Sequence, residues 1–336
     1  MTDGLLTEEE AHTAIAEDIL GAVERNAAGE WVMPWAGFSA RPTNAFSGRP
    51  FKGQNTLALW AAARRNGYTA HLWASPEAWE RNGGAIRSGE TGTLILVPIF
   101  DEEAPAAAWT RETPGIARKL GPIGGDALGG QLRPMIGFER QRWFNVHQVD
   151  GVPIAPPAVP SPTQAALKLE DALLSWQPLP DDPIGGPALI EGGVRAFWNP
   201  ATDRVNMPPK AAFQPRGGLS GYEYYVLTFA HECTHATGSA SRLRRDTLLN
   251  YGKGNNRPKE ELVAEIGAAF LCAQFGLPAQ LLSHNTAYIA SWMQHLGTRS
   301  KRKSFFWAVG QAENACAYIL RRAGGGRHRP LATAGA

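Results

Sequence analysis

Apolar residues first fall into a regular pattern at Ala14, Ile15, Ile19, Leu20 and Val23. This spacing predicts an amphipathic helix from Thr7 to Ala27, with Thr7 as its cap and Glu10 three residues on. The pattern breaks over residues 28–56, where Gly, Pro, Asn and aromatic residues crowd into WVMPWAGFSARPTNAFSGRPFKGQN, too turn-rich for a helix and too interrupted for a long strand. Helical spacing returns from Thr56 to Asn66. It is followed by a short HLWAS segment, a helical piece from Pro76 to Arg81, and the apolar run TLILVPIF, which reads as a strand after the turn signals GG and SGETG. GFERQRWFNVHQV reads as the returning strand, and the Ala, Gly and Pro-rich stretch between Asp101 and Pro134 as an insertion between the two.

The Pro-rich segment GVPIAPPAVPSPTQ stays extended and resists packing, so it marks a linker. Beyond it the pattern predicts a helix near Thr163 to Ser175 and short strands at ALIEGG, VRAFWN and TDRVNMP. Two strong helices follow, over about Gly221 to Thr237 and Pro258 to Phe275, with Gly276 as the stop of the second. A C-terminal helical region then ends in a Gly- and Arg-rich tail. The expected class is therefore α+β in two domains, residues 1–150 and 165–325, joined by a linker at 151–164 and ending in a flexible tail at 326–336.

Composition narrows the picture in three ways. The chain has 336 residues, 43% of them hydrophobic, which suffices for two cores and excludes a disordered chain. A net charge of +2 excludes a histone-like DNA binder but leaves room for local basic surfaces. Cys233, Cys272 and Cys316 are odd in number and lack metal-site or disulfide spacing. With an acidic rather than basic start and no continuous apolar span of about 20 residues, they predict a cytoplasmic protein with no membrane crossing.

The sharpest chemical signal is His231-Glu232-Cys233-Thr234-His235. Histidines four apart on a helix share a face and can point at one ion, while Glu232 beside them reaches a water as general base, the HExxH arrangement of zinc hydrolases. A third protein ligand is needed, and RPKEELVAEIGAAFLCAQFG offers Glu265 at the edge of an apolar stripe as the first choice. Glu261, one turn earlier, is the alternative ligand or a partner for a histidine N–H. Glu260 is expected to point elsewhere, and Cys233 to be core. Tyr288 and His284 are candidates for stabilising an oxyanion, more simply read as packing or capping residues.

These motifs carry a family resemblance over nearly the whole chain. YEYYVLTFAHECTHATGSASRLRRD, EELVAEIGAAFLCAQFG and NTAYIASWMQHL resemble the zincin-like metallopeptidase domain of ArdC-type antirestriction proteins. WVMPWAGF, PTNAFSGRPFKGQN, GYTAHLW, NGGAIRSGETGTLILVPIF and RWFNVHQVDGV resemble, in order, that family's N-terminal domain for single-stranded DNA. The resemblance implies a protein of mobile DNA that binds single strands and protects incoming DNA from restriction. It also implies His231, His235 and Glu265 as metal ligands and Glu232 as the catalytic carboxylate. Zn2+ is the expected ion, with another divalent metal open.

Single-strand binding needs aromatic platforms and cations. Trp31, Trp35 and Phe51 interleave with Arg41, Arg49 and Lys52, while Asn44 and Asn55 add hydrogen-bonding groups and Arg87 extends the phosphate track. From Gly29 to Phe100 seven basic residues face four acidic ones, a local patch rather than a basic domain. The region from Arg299 to Arg329, with eight basic residues and one acidic, reads as a solvated tail or a second phosphate contact. The expected partners are single-stranded DNA and a DNA-bound protein as peptidase substrate. Two other readings stand beside this one: a non-proteolytic DNA-binding protein with a structural metal site, and a metallopeptidase that cleaves a regulatory protein.

Overall fold

A computed structural model describes residues 6–24, 37–100, 135–153, 160–176, 185–279 and 298–323. The first helix, α1 (Glu8–Glu24), starts as the pattern predicts: Thr7 N and Oγ1 both donate to Glu10, and Glu10 N returns a bond to Thr7 Oγ1. Its buried Ile15 and Ile19 face α2 (Gly53–Asn66), which places Leu57, Ala58, Trp60 and Ala61 in the interior. The first sheet runs in the order β1 (Thr43–Asn44), β2 (Leu72–Ala74), β5 (Met135–Asn145), β4 (Thr93–Phe100). All neighbours are antiparallel except β1 and β2. Because β4 is an edge strand, Pro98 sits in it without leaving a neighbour's carbonyl unmatched. Between β2 and β4, α3 (Pro76–Arg81) is capped by Ser75 with Pro76 at its start, and β3 (Ala85–Ile86) pairs with β6 (Val149–Asp150).

The second half begins with α4 (Pro162–Leu174), capped by Ser161. The last residues of the Pro-rich segment are therefore the first turn of a helix, since Pro's fixed φ suits that position and its missing N–H costs nothing there. A three-stranded sheet of order β7 (Ala188–Glu191), β9 (Arg204–Met207), β8 (Phe197–Asn199) follows. Next come α5 (Gly221–Thr237), the short α6 (Asp246–Leu249), α7 (Asn256–Phe275) and α8 (Arg299–Arg322). Gly276 closes α7 in the left-handed conformation, φ 94°. Much of the C-terminal basic region is thus a packed helix rather than a solvated tail. Phe305, Val309, Ala312, Cys316 and Ile319 of α8 are buried, and Arg322 is buried too, its guanidinium lying over the Tyr318 ring. The spacing of apolar residues in FFWAVGQAENACAYIL outweighs the basic ends. The insertion at 101–134 and the tail at 326–336 lie outside the described residues.

One hydrophobic core runs through both halves, joining Ile15, Leu57, Trp60 and Leu96 to Phe270, Phe305 and Ile319. Within it, Arg41, expected to meet phosphates, is 6% exposed and donates through both terminal nitrogens to Glu313 of α8, at 3.0 and 3.1 Å. The guanidinium also lies over the Phe270 ring at 4.5 Å, and the amide of Gly53 at the start of α2 donates to Glu313 at 3.1 Å. A local count of charges cannot reveal this, because the neutralising carboxylate is 272 residues away. Main-chain bonds link the halves as well, from Gly37 N to Ala279 O and from Ala279 N to Phe38 O.

Two outcomes follow from this packing. Removing one partner of a buried ion pair strands the other charge, so Arg41→Met is expected to cost about 3–5 kcal/mol in urea unfolding, and Arg41→Met with Glu313→Leu to recover most of that loss. His71, packed edge-on against Phe38, is held neutral by burial with its pKa down to about 4. The unfolded chain protonates it near pH 6.5, so stability is full above that value and falls as pH drops towards 4. His71→Phe is expected to flatten the stability profile across that window relative to the unsubstituted chain.

Candidate metal centre

The HExxH residues lie on α5, whose start is fixed by a reciprocal cap: Glu223 N donates to Ser220 Oγ and Ser220 N to Glu223. Its apolar positions Val226, Leu227, Phe229 and Ala230 are buried, which turns the histidine face towards α7. The two helices approach closely because α7 has a glycine where they meet. A Cβ on Gly267 would lie 2.6 Å from Thr234 Cγ2.

This approach brings three glutamates of α7 to the histidines. His231 Nε2 and His235 Nε2 are 3.2 Å apart, and Glu261 Oε2 lies 3.6 and 3.8 Å from them. Tetrahedral coordination with metal–nitrogen bonds of about 2.0–2.1 Å separates ligand atoms by about 3.3–3.4 Å, so these three donors are spaced to hold such an ion. Glu265, buried at 2% exposure, sits on the opposite side of the His231 ring, its Oε1 3.8 Å from Nδ1. The geometry therefore puts Glu261 at the mouth of the donor set and Glu265 behind a histidine, the reverse of the order of preference that the sequence suggests. The apolar stripe marks Glu265 as buried but does not say which ring nitrogen it meets.

Glu260 does not point elsewhere. Fully buried, it faces His235 Nδ1 at 3.2 Å and accepts from Arg245 Nε and Nη2 and from Thr247 Oγ1, the last at 2.6 Å. Holding the Nδ1 proton leaves His235 Nε2 as the donor towards the cleft. Burial opposes ionisation of Glu260, but Arg245 and His235 outweigh it and keep the carboxylate down near 2. Glu261 is held far below the usual carboxylate range by the two histidines despite its burial. His235 is raised well above its usual value, with Glu260, Glu261 and Glu232 overcoming desolvation. Carboxylates that favour positive charge this strongly form a site suited to a cation.

Glu232 lies beside the donors, and its Oε2 accepts the backbone N–H of Trp198 in β8 at 2.9 Å. Tyr251 donates to Glu261 Oε1 at 2.5 Å. Neither partner is foreseen from sequence: a strand amide has no side-chain signature, and Tyr251 precedes α7 in a turn. His231, Glu232, His235, Glu261, Trp198, Tyr251 and Arg257 line one cleft of about 680 Å3. Cys233 is buried in the core, away from it. Tyr288 and His284 lie outside the described residues.

The proposed DNA contacts divide. Phe46, Arg49 and Lys52 are exposed in the segment before α2, and the Phe46 ring packs edge-on against Trp79. Asn44 accepts from the amides of Phe46 and Ser47, shaping that loop, and Asn55 pairs through its amide with both backbone groups of Leu96 in β4. Phe51 packs edge-on against Trp143. Arg87 is bound to Glu90, Asp150 and the His147 carbonyl, and Arg41 is internal. Trp31 and Trp35 lie outside the described residues. No helix among the described residues is long and apolar enough to cross a membrane.

A histidine-bearing helix, a partner helix rich in glutamate and a small sheet whose edge touches the general-base candidate define a zincin-like half, joined to an α+β half. Residues 185–310 match the model of a zincin-like metallopeptidase, and residues 9–116 that of the N-terminal domain of the anti-restriction factor ArdC. The uncharacterized protein y4eC of Sinorhizobium fredii is 30% identical over 91% of this chain and 90% of its own length. The chain belongs to the ArdC-type antirestriction family. It is also 28% identical to a DNA primase TraC of Escherichia coli, over 92% of this chain but only 20% of that protein. Two crystal structures of the antirestriction ArdC protein from R388 plasmid share the fold at 24% identity. The metal-free one has a TM-score of 0.64, covering 94% of this chain and 99% of that one. The Mn(II)-bound one has a TM-score of 0.65, covering 93% and 98%.

Enlarging Gly267 forces the two helices apart. Gly267→Ala is expected to destabilise the protein by about 1–3 kcal/mol and to lower the metal retained after dialysis, measured by plasma emission spectroscopy.

Proposed function

We propose that this chain protects incoming DNA from restriction, holding single-stranded DNA on its N-terminal half and hydrolysing peptide bonds at a divalent-metal site in its second half. The observation that carries the peptidase reading is the convergence of His231 Nε2, His235 Nε2 and Glu261 Oε2 beside Glu232 in one cleft. In this reading those three side chains hold the ion, and Glu260 and Glu265 orient the two imidazoles from behind. Two imidazoles and one carboxylate suit zinc, and a donor set of this kind also accepts Mn(II). A divalent ion bound there acidifies water and polarises a carbonyl. Glu232, with Oε2 held by Trp198 N–H, takes a proton on Oε1 and passes it to the leaving amine. The segment that carries Phe46, Arg49 and Lys52 supports contact with a single strand, since it exposes an aromatic ring and two cations. Binding DNA would bring the peptidase to proteins bound on the same strand, raising their effective concentration. A protein working on DNA that has entered a cell acts in the cytoplasm.

His231→Ala is expected to lose bound metal, whereas Glu232→Gln keeps the metal and lowers peptide hydrolysis by about 10²–10⁴-fold. Arg49→Ala with Lys52→Ala is expected to weaken oligonucleotide binding and reduce its salt slope by about 0.7 for each phosphate that is no longer neutralised. Metal content unchanged in His231→Ala would overturn the site. Full protection by Glu232→Gln in a restriction assay would assign protection to DNA occupancy alone.

A further inference from the structure

The cleft is unevenly charged. Its floor holds Glu232 and Glu261, and its walls are largely apolar, with Ala196, Phe197, Pro200, Leu248 and Pro258. Among the described residues that line it, Arg257 is the only Lys or Arg. Arg257 is exposed in the first turn of α7, and no salt bridge joins it to a carboxylate among the described residues. Its guanidinium lies over the Tyr251 ring, 5.9 Å from the centroid, and Tyr251 is itself pinned by its 2.5 Å bond to Glu261. The cation is thus anchored, through one aromatic ring, to the carboxylate that completes the donor set.

We infer that Arg257 is a specificity-determining residue that selects peptides with an acidic side chain one or two positions from the scissile bond. The inference rests on the metallopeptidase reading and names its substrate class. Arg257 precedes Glu261 by four residues, which places its backbone about 6 Å farther along the helix axis. A peptide that runs along α7 in the cleft advances about 3.3 Å per residue, which brings a side chain one or two residues from the reacting carbonyl level with the guanidinium. A carboxylate there completes a forked pair with a cation already placed over the Tyr251 ring. A lysine in the same place meets repulsion, and a neutral amide loses the charge. The nearby floor carboxylates sharpen this choice, since an acidic side chain is tolerated only where Arg257 offsets them.

The test uses the full, metal-loaded chain and two series of short peptide hydroxamates, with the chelating group at the carboxyl end in one and at the amino end in the other. Within each series the residue either one or two positions from the chelating unit is Glu, Gln or Lys, and affinity is measured by calorimetry. The expected result is that in one series the Glu peptide binds at least tenfold more tightly than the Gln peptide. Arg257→Gln should abolish that preference and Arg257→Glu should turn it towards the Lys peptide, with metal content and unfolding midpoint unchanged. Affinities within twofold for all three peptides in both series, with metal retained, would overturn the role of Arg257 and leave the metal site standing. Absence of hydroxamate binding by metal-replete protein would overturn the metallopeptidase reading, and this inference with it. Flat hydroxamate affinities together with weaker oligonucleotide binding in Arg257→Glu would assign the guanidinium to DNA phosphate and likewise reject the proposal.

Discussion

The close contact between Thr234 and Gly267 is the constraint on which the candidate site depends. Only without a side chain at 267 do α5 and α7 come near enough for three glutamates of one helix to reach two histidines of the other. The separation also explains the arrangement around the rings. Glu260 and Glu265 reach the nitrogens that face away from the cleft, and Glu261 reaches those that face into it. Burying so many carboxylates is unfavourable unless each finds a cation or donor. Arg245 and Thr247 neutralise and bind Glu260, and Tyr251 serves Glu261. Much of the region between α5 and α7 thus holds the two imidazole rings at 82° to one another.

The same device, a carboxylate inside the protein matched by a distant arginine, ties the two halves together. Glu313 on α8 binds Arg41 from the N-terminal loop and the amide at the start of α2, with Phe270 of α7 beneath the guanidinium. Trp60 of α2 lies against the same phenylalanine. The helix that carries the site glutamates is therefore packed along its C-terminal part against the N-terminal half.

Most elements were legible in the chain because periodicity reports which face of an element is apolar. The cap at Thr7, the strand TLILVPIF with its returning partner, the helix over Gly221 to Thr237 and the stop at Gly276 all lie where the pattern puts them. Periodicity also places the histidine pair and the glutamate-bearing helix. It does not report what lies opposite a face. Glu260 and Glu261 are adjacent on a helix, and only the position of α5 tells which ring nitrogen each meets. Arg41 looks like its neighbours Arg49 and Lys52 until Glu313, in a distant helix, is brought beside it. The C-terminal helix is partly hidden by its charged ends, whose side chains lie at its rim while Phe305, Val309 and Ile319 fill the core.

The pairing of Arg41 with Glu313 bears on how such a protein can change over time. Two family segments that lie apart along the chain suggest modules free to be shuffled. Here each carries half of a buried ion pair and a share of one core, so a graft of either onto an unrelated partner exposes apolar surface and leaves an uncompensated charge. The unit of inheritance is the matched pair: substitutions at the junction must arise in both segments together, and exchange between genomes preserves the fold only when it carries the two as one piece.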